Sequence, residues 1–177
     1  AGPRTLPRPQ KPKRLVRIDT SGWQITSEEI KAVYEGYLES LSQAGIEIIS
    51  RNDDPKIEEY EQHLVELRDV IAIILTYEGR YPLAMFADCK WDLLSERVQD
   101  RVVAGREITP EDYAEALDWC TAFRARHQGL RERADGFITL NQIDPAPQGM
   151  AVGEVVYGEP SSVLGSPALN LPLLAID

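Results

Sequence analysis

"RLVRIDTSGWQITSEEIKAVYEGYLESLSQAGIEIIS", residues 14–50, holds two short runs of strand composition around one amphipathic segment. "RLVRI" (14–18) and "IEIIS" (46–50) are rich in β-branched and apolar residues. Between them, "TSEE" at Thr26–Glu29 has the form of a capping box, with Thr26 as the cap and Glu29 reaching back. Ile30, Val33, Tyr34, Tyr37, Leu38 and Leu41 then recur at helical spacing. Gly45 stands where a helix ends in a left-handed residue. Strand, helix, strand at this length predicts a βαβ unit, so the strands should be parallel neighbours joined by a right-handed crossover.

Outward from this unit the pattern continues. Residues 1–13 carry Pro3, Pro7, Pro9 and Pro12 and are expected to form an extended arm, with a single α/β domain over 14–177. Asp54-Pro55 supplies a cap and a first-turn proline for a second helix with Ile57, Tyr60, Leu64, Leu67 and Ile71 on one stripe. Its end, "IAIILTY", is apolar all round and should be buried on several sides or lie in an interface. A third helix is expected from about Leu83 to Val98. Thr109-Pro110-Glu111-Asp112 starts a fourth, with Tyr113, Ala116, Leu117, Cys120, Phe123 and Leu130 facing inward. "GFITL" (136–140) reads as a strand, residues 141–167 as a long Gly/Pro-rich loop, and "ALNLPLLAI" (168–176) as a strand covered on both faces. The expectation is an α/β fold: a layered mixed sheet with flanking helices.

Charge and composition restrict the function classes. The net charge of −10 disfavours nucleic acid. Arg4, Arg8, Lys11, Lys13, Arg14 and Arg17 crowd the N-terminus, either as a binding arm or as a solvated leader. The interleaved prolines and the lack of aromatics favour the leader. No run of about 18 consecutive apolar residues is present and no signal-peptide core opens the chain, so neither membrane nor secretion is expected. Cys89 and Cys120 show no paired spacing, and His63 and His127 stand apart. The expectation is reduced thiols in the cytoplasm and no metal site. Asp88, Asp92 and Glu96 recur at helical spacing, as a solvated face or, less commonly, a metal row.

No self-contained reaction centre emerges from the residues. Ser161-Ser162 could be a nucleophile pair, but no Gly-x-Ser-x-Gly elbow surrounds it and no Lys or His lies near in sequence. The bland alternative, loop hydroxyls bonding backbone, is favoured. Gly149, Gly153, Gly158 and Gly165 do not form a phosphate cradle, and no cofactor is implied.

The order of several motifs adds a further expectation. "ADGFITL…DPAPQGMAVG…SSVLGSPALNLPLLAID" resembles the carboxyl-terminal third of the amidase-signature family, with Asp135, Thr139, Ala146-Pro147, Gly153, Gly165, Pro167 and Pro172 in register. "VVAGREITPEDYAEAL" (102–117) is similar to a helix entry of that family, and "KPKRLVRID…AGIEIIS" to its strand–helix–strand. The resemblance implies a partial amidase-signature fold and hydrolysis of carboxamide C–N bonds by a Ser–cis-Ser–Lys triad. The serine needs a base to take its proton, and the oxyanion needs fixed donors. The family's Gly-Gly-Ser-Ser-Gly-Gly type run is absent from this sequence, as is its catalytic lysine segment. The expectation is therefore a portion of a larger amidase with no catalytic residue of its own, inactive alone. Its small amide substrate would be handled only in the complete enzyme. The same resemblance places Asn141, Gln142, Val152, Gly153 and Ser161 along the substrate pocket. Val152 stands where the family often has Thr, and Leu140 where Pro is usual. Two other readings stay open: a split amidase completed by a second chain, and an unrelated non-catalytic binding or structural module. An apolar final strand lacking its neighbours further implies self-association, as a homodimer.

Overall fold

The computed structural model describes residues 8, 10–145, 147–149 and 153–175. The fold is α/β. Strands β1 (Arg14–Arg17), β2 (Glu47–Ile49) and β3 (Gly136–Ile138) form a sheet in the order β2-β1-β3. Both pairings are parallel, with Leu15 opposite Ile48 on one side and Gly136 on the other. The βαβ expectation for residues 14–50 therefore holds. Asp135 fixes the start of β3, its Oδ2 accepting from the Lys13 and Arg14 amides at 2.7 and 3.1 Å.

A short turn of helix, α1 (Gly22–Ile25), precedes α2 (Glu28–Gln43). The cap of α2 is Ser27, whose Oγ accepts from the Ile30 amide, and not Thr26 as the sequence pattern had it. Thr26 is buried, and its hydroxyl is engaged elsewhere. Gly45 follows α2 at φ 83°, the left-handed position expected of it. Asp54 caps α3 (Pro55–His63) through the Lys56 amide. The expected long second helix breaks after His63 and resumes as α4 (Leu67–Lys90).

The expected helix from Leu83 to Val98 does not exist as one element. α4 runs through Pro82 to Lys90, a 3-10 turn covers Trp91–Leu93, and α5 (Glu96–Glu107) starts after Ser95 in extended conformation. A proline inside a helix removes one backbone bond, and here the packing of α4 against α5 and α6 (Pro110–Arg131) outweighs that local loss. Asp88, Asp92 and Glu96 consequently sit on three different elements, and no metal-competent cluster exists among the described residues. The stretch Pro55–Leu93 includes a window long and apolar enough to cross a bilayer by length and composition, with mean hydropathy 1.2 and 17% of it buried. Glu78 and Arg80 lie within α4, and Glu78 accepts a bond from the Tyr113 hydroxyl of α6 at 2.8 Å.

Thr109 caps α6 with Pro110 in the first turn, as the sequence indicated, and Asp112 completes a reciprocal capping box with it. Helices cover both faces of the sheet. Period-2 alternation sends Val16 and Ile18 to one side, where they meet Ile57, Tyr60, Leu64, Leu67, Phe123 and Leu130. On the other side Tyr34 and Leu38 of α2 pack with Leu140, Val156 and Tyr157. Of the predicted inner stripe of α6, Ala116, Cys120, Phe123 and Leu130 are buried, whereas Leu117 is 40% exposed.

The long loop after β3 contains one further helix, α7 (Glu159–Leu164), which ends at Gly165 with φ 62°. The expected final strand is absent: residues 166–175 have no regular structure, and Leu169, Leu171 and Leu173 are exposed. Pro167 and Pro172 each lack an amide donor, so this segment cannot supply a full ladder of bonds, and its apolar run alone does not place it in a sheet. Ile176 lies outside the described residues.

Candidate functional site

In an open parallel sheet, ligands collect at the carboxyl ends of the strands where the chain order reverses. Here β1 lies between β2 and β3, so the edge formed by residues after β1 and β3 is that place. The chain leaving β1 passes through Asp19 and Thr20, both buried, with Thr20 at φ 57°. Left-handed backbone at a β-branched residue is costly and persists only where surroundings enforce it. The enforcing group is Glu61 of α3. Its Oε1 accepts from the Asp19 amide and its Oε2 from the Thr20 amide, each at 3.1 Å. Thr20 Oγ1 in turn accepts from the Gly22 amide at 3.0 Å.

Charge around this turn is tightly paired. Burial pushes the Glu61 carboxyl above its ordinary range, the Asp19 charge adding to this, while the two amides and Arg51 oppose it. Arg51 Nη1 lies 3.5 Å from Glu61 Oε2. Arg17 bridges Asp19 at 2.6 Å and Glu35 at 2.7 Å, with its guanidinium 4.5 Å from the Trp23 ring centre. Burial alone would ease deprotonation of Arg17, but the two carboxylates outweigh it and hold the cation.

The segment after β3 closes over the turn. Tyr157 and Thr26 hydroxyls are 2.7 Å apart, and Thr26 donates to the Gly22 carbonyl, so Tyr157 is the donor of the pair. Burial lifts the Tyr157 phenol to about 12, so it stays protonated. A Cβ on Gly22 would sit 2.6 Å from Val156 Cγ1, so only glycine admits this approach. Arg68 of α4 holds the same segment through Glu154 at 2.5 Å and Glu159 at 3.5 Å.

The residues expected along a pocket lie on the segment after β3 and on α7. Gln142 lies against Gly153, where an added Cβ would be 2.8 Å from Gln142 Oε1. Asn141 is exposed directly after Leu140. Ser161 is on α7, and its Oγ donates to the Gly158 carbonyl at 2.9 Å; Ser162 Oγ does the same at 3.3 Å. Val152 and Ala146 lie outside the described residues. The serines therefore behave as helix hydroxyls bonding backbone, and neither is bonded to a histidine or a lysine. His63 bonds the Glu59 carbonyl and His127 the Tyr60 hydroxyl instead. The amides and hydroxyls of this turn are bonded to one another and to Glu61. The arrangement contains no base-activated nucleophile among the described residues.

Sequence reasoning missed Glu61, Asp19 and Tyr157. A signal existed for the first: Glu61 interrupts the inward stripe of Ile57, Tyr60 and Leu64. A carboxylate on a buried stripe needs partners.

A crystal structure of an amidase has the same architecture over 94% of this chain, with a TM-score of 0.69 and 16% sequence identity. The fold is similar to that of an amidase chain. The match occupies 41% of the amidase, so the present chain spans about two fifths of that protein's length. No protein-family profile matches the sequence, and no curated protein matches it. At such identity the likeness concerns fold, and chemistry has to be argued from residues.

Proposed function

We propose that this chain is the substrate-side part of an amidase-like hydrolase acting on carboxamide C–N bonds, akin to the amidase-signature family. The observation that carries the reading is the likeness to an amidase across 94% of the chain. The ordered motifs from Asp135 to Pro172 support it. In this reading Asn141, Gln142, Val152, Gly153 and Ser161 border the amide's acyl side. The nucleophile, relay serine and lysine come from outside residues 1–177, whether from the same polypeptide or a second one. The setting is cytoplasmic, which suits two free thiols.

The chain alone should give no turnover of aryl amides and no labelling by a fluorophosphonate, because an unactivated serine is a weak nucleophile. Benzamide should nevertheless shift the Gln142 side-chain and Gly153 backbone resonances in a 15N NMR titration. Hydrolysis that disappears in Ser161→Ala would overturn the assignment of catalysis to other residues. Benzamide shifts confined to surfaces away from 141–161 would overturn the pocket.

Self-association belongs to the same reading. Leu169 is 81% exposed, and Leu171 and Leu173 are each 53% exposed. Covering such side chains is worth roughly 1.5–3 kcal/mol each when complete. A second copy is the proposed cover. Leu171→Lys combined with Leu173→Lys should weaken dimerisation by at least about tenfold while leaving helix content unchanged. A light-scattering mass that stays monomeric at every concentration would end this idea.

A further inference from the structure

The helix pair α4 and α5 carries a second feature, which shares no lining residue with the sheet edge. The two helices approach closely because Gly105 has no side chain. A Cβ there would stand 3.2 Å from Arg80 Cβ and 3.3 Å from the Thr76 carbonyl oxygen. Beside this contact is a hollow of about 300 Å³ lined by Arg80, Tyr81, Ala84, Val102, Gly105 and Arg106.

Arg80 is held in a fixed plane there. Its guanidinium lies 3.7 Å from the Tyr77 ring centre and 4.8 Å from that of Tyr81. Tyr77 is itself stacked on Tyr113 at 4.3 Å. Arg80 Nη2 donates to the Tyr81 hydroxyl at 3.3 Å, but its buried Nε has no partner. A buried charged donor without an acceptor is expensive, and native structures rarely keep one without a reason.

The nearest helical acid does not relieve it. Glu78 accepts from Tyr113 instead. Among the described residues no ion pair includes Arg80 or Arg106, although Arg14, Arg17, Arg51, Arg68, Arg126 and Arg133 all have carboxylate partners. Arg97, Arg101, Arg124 and Arg131 also lack a carboxylate partner among the described residues, so what marks Arg80 and Arg106 is that both line one hollow. A stacking role would explain the aromatic contacts of Arg80. It would not explain the second arginine on the same hollow.

We propose that this hollow binds a small monocarboxylate bearing an apolar group. The carboxylate oxygens would meet the guanidinium groups of Arg80 and Arg106, and the apolar part would lie on Ala84 and Val102. A planar guanidinium matches a planar carboxylate in two parallel bonds, and stacking on tyrosines reduces the ordering cost of that geometry. The net charge of −10 disfavours a dianion more than a monoanion.

The test uses the intact chain and benzoate, with benzamide, chloride and inorganic phosphate as comparison ligands. Benzoate should shift the Arg80 Nε–H resonance saturably, with a dissociation constant on the order of 1 mM. Benzamide, chloride and phosphate at equal ionic strength should leave it unmoved. Followed at the Val102 and Gly105 amides, benzoate binding should be lost in Arg80→Met, and Arg106→Ala, an exposed change that spares the fold, should weaken it about fivefold or more. Gly105→Ser tests the same approach of the helices from the other side and should also weaken binding. The proposal is overturned by an unsaturable benzoate response, by an equal response to any comparison ligand, or by full benzoate affinity in folded Arg106→Ala. Benzamide effects at Gln142 and Gly153 bear on the amidase reading alone, so the two can fail separately.

Discussion

Phe123→Ala should lower the unfolding free energy by about 3–5 kcal/mol, the range for removing a large buried aromatic. The side chain is fully buried, and its ring is 5.0 Å from Tyr60 and 5.1 Å from Trp119, centre to centre, in both cases stacked. It joins α6 to α3 and to Val16 of the central strand, so its loss opens a cavity where three elements meet. Collapse around the gap is resisted because Val16, Ile57 and Leu67 are equally fully buried. Leu117→Ala is the internal comparison. That residue was expected on the same inner stripe but is 40% exposed, and its truncation should cost under about 1 kcal/mol. Urea unfolding followed by circular dichroism decides both, through a shift in midpoint at constant slope. Equal losses in the two variants would mean that the described orientation of α6 is wrong.

Glu61→Ala should cost about 2–6 kcal/mol, because it leaves the buried Asp19 and Thr20 amides without acceptors at roughly 1–3 kcal/mol each. The strained Thr20 backbone would lose its anchor at the same time, which raises the cost. The pH dependence has a definite sign. Burial raises the folded-state pKa of Glu61 above its ordinary value of 4.5, so the folded chain holds this proton more tightly than the unfolded one. Its titration therefore contributes stability that is fully present below about 4.5 and is lost as pH rises through the raised value. The loss on Glu61→Ala should accordingly be largest in acid and should shrink toward neutrality. Asp53, Asp112 and Asp135 act oppositely: their hydrogen bonds lower their pKa values, and their contributions disappear as pH falls. Subtracting the variant's stability curve from the parent's across pH 4–7 isolates the Glu61 contribution. A difference that grows as pH rises would refute the desolvated-carboxylate account.

Much of this fold was legible because local signals and tertiary demands agreed. Residues 14–50 encode their own βαβ unit: strand composition, a helical stripe and a terminal glycine all point one way, and the parallel pairing follows from the length of the crossover. Asp54-Pro55 and Thr109-Pro110 likewise specify helix starts, since a cap bonds only its own first turn. Where the expectation failed, a non-local interaction had decided. Thr26 looked like a cap, but Tyr157, 131 residues away, engages its hydroxyl and leaves Ser27 to cap α2. A separate helix was expected from about Leu83, but the packing of α4 on α5 and α6 carries one helix through Pro82 to Lys90.

By itself, then, the sequence determined the α/β class, the central parallel pair and most helix starts, because these depend on periodicity and on bonds within a few residues. The tertiary structure alone decided the rest. It brought Glu61 beneath the Thr20 turn, laid Gln142 on Gly153, bonded Ser161 and Ser162 to backbone, and left residues 166–175 outside the sheet. The physical reason is that an apolar run states only that a segment gains from burial. Whether it is buried depends on which distant groups offer it a surface and a set of unpaired amides, and that competition is settled across the whole molecule.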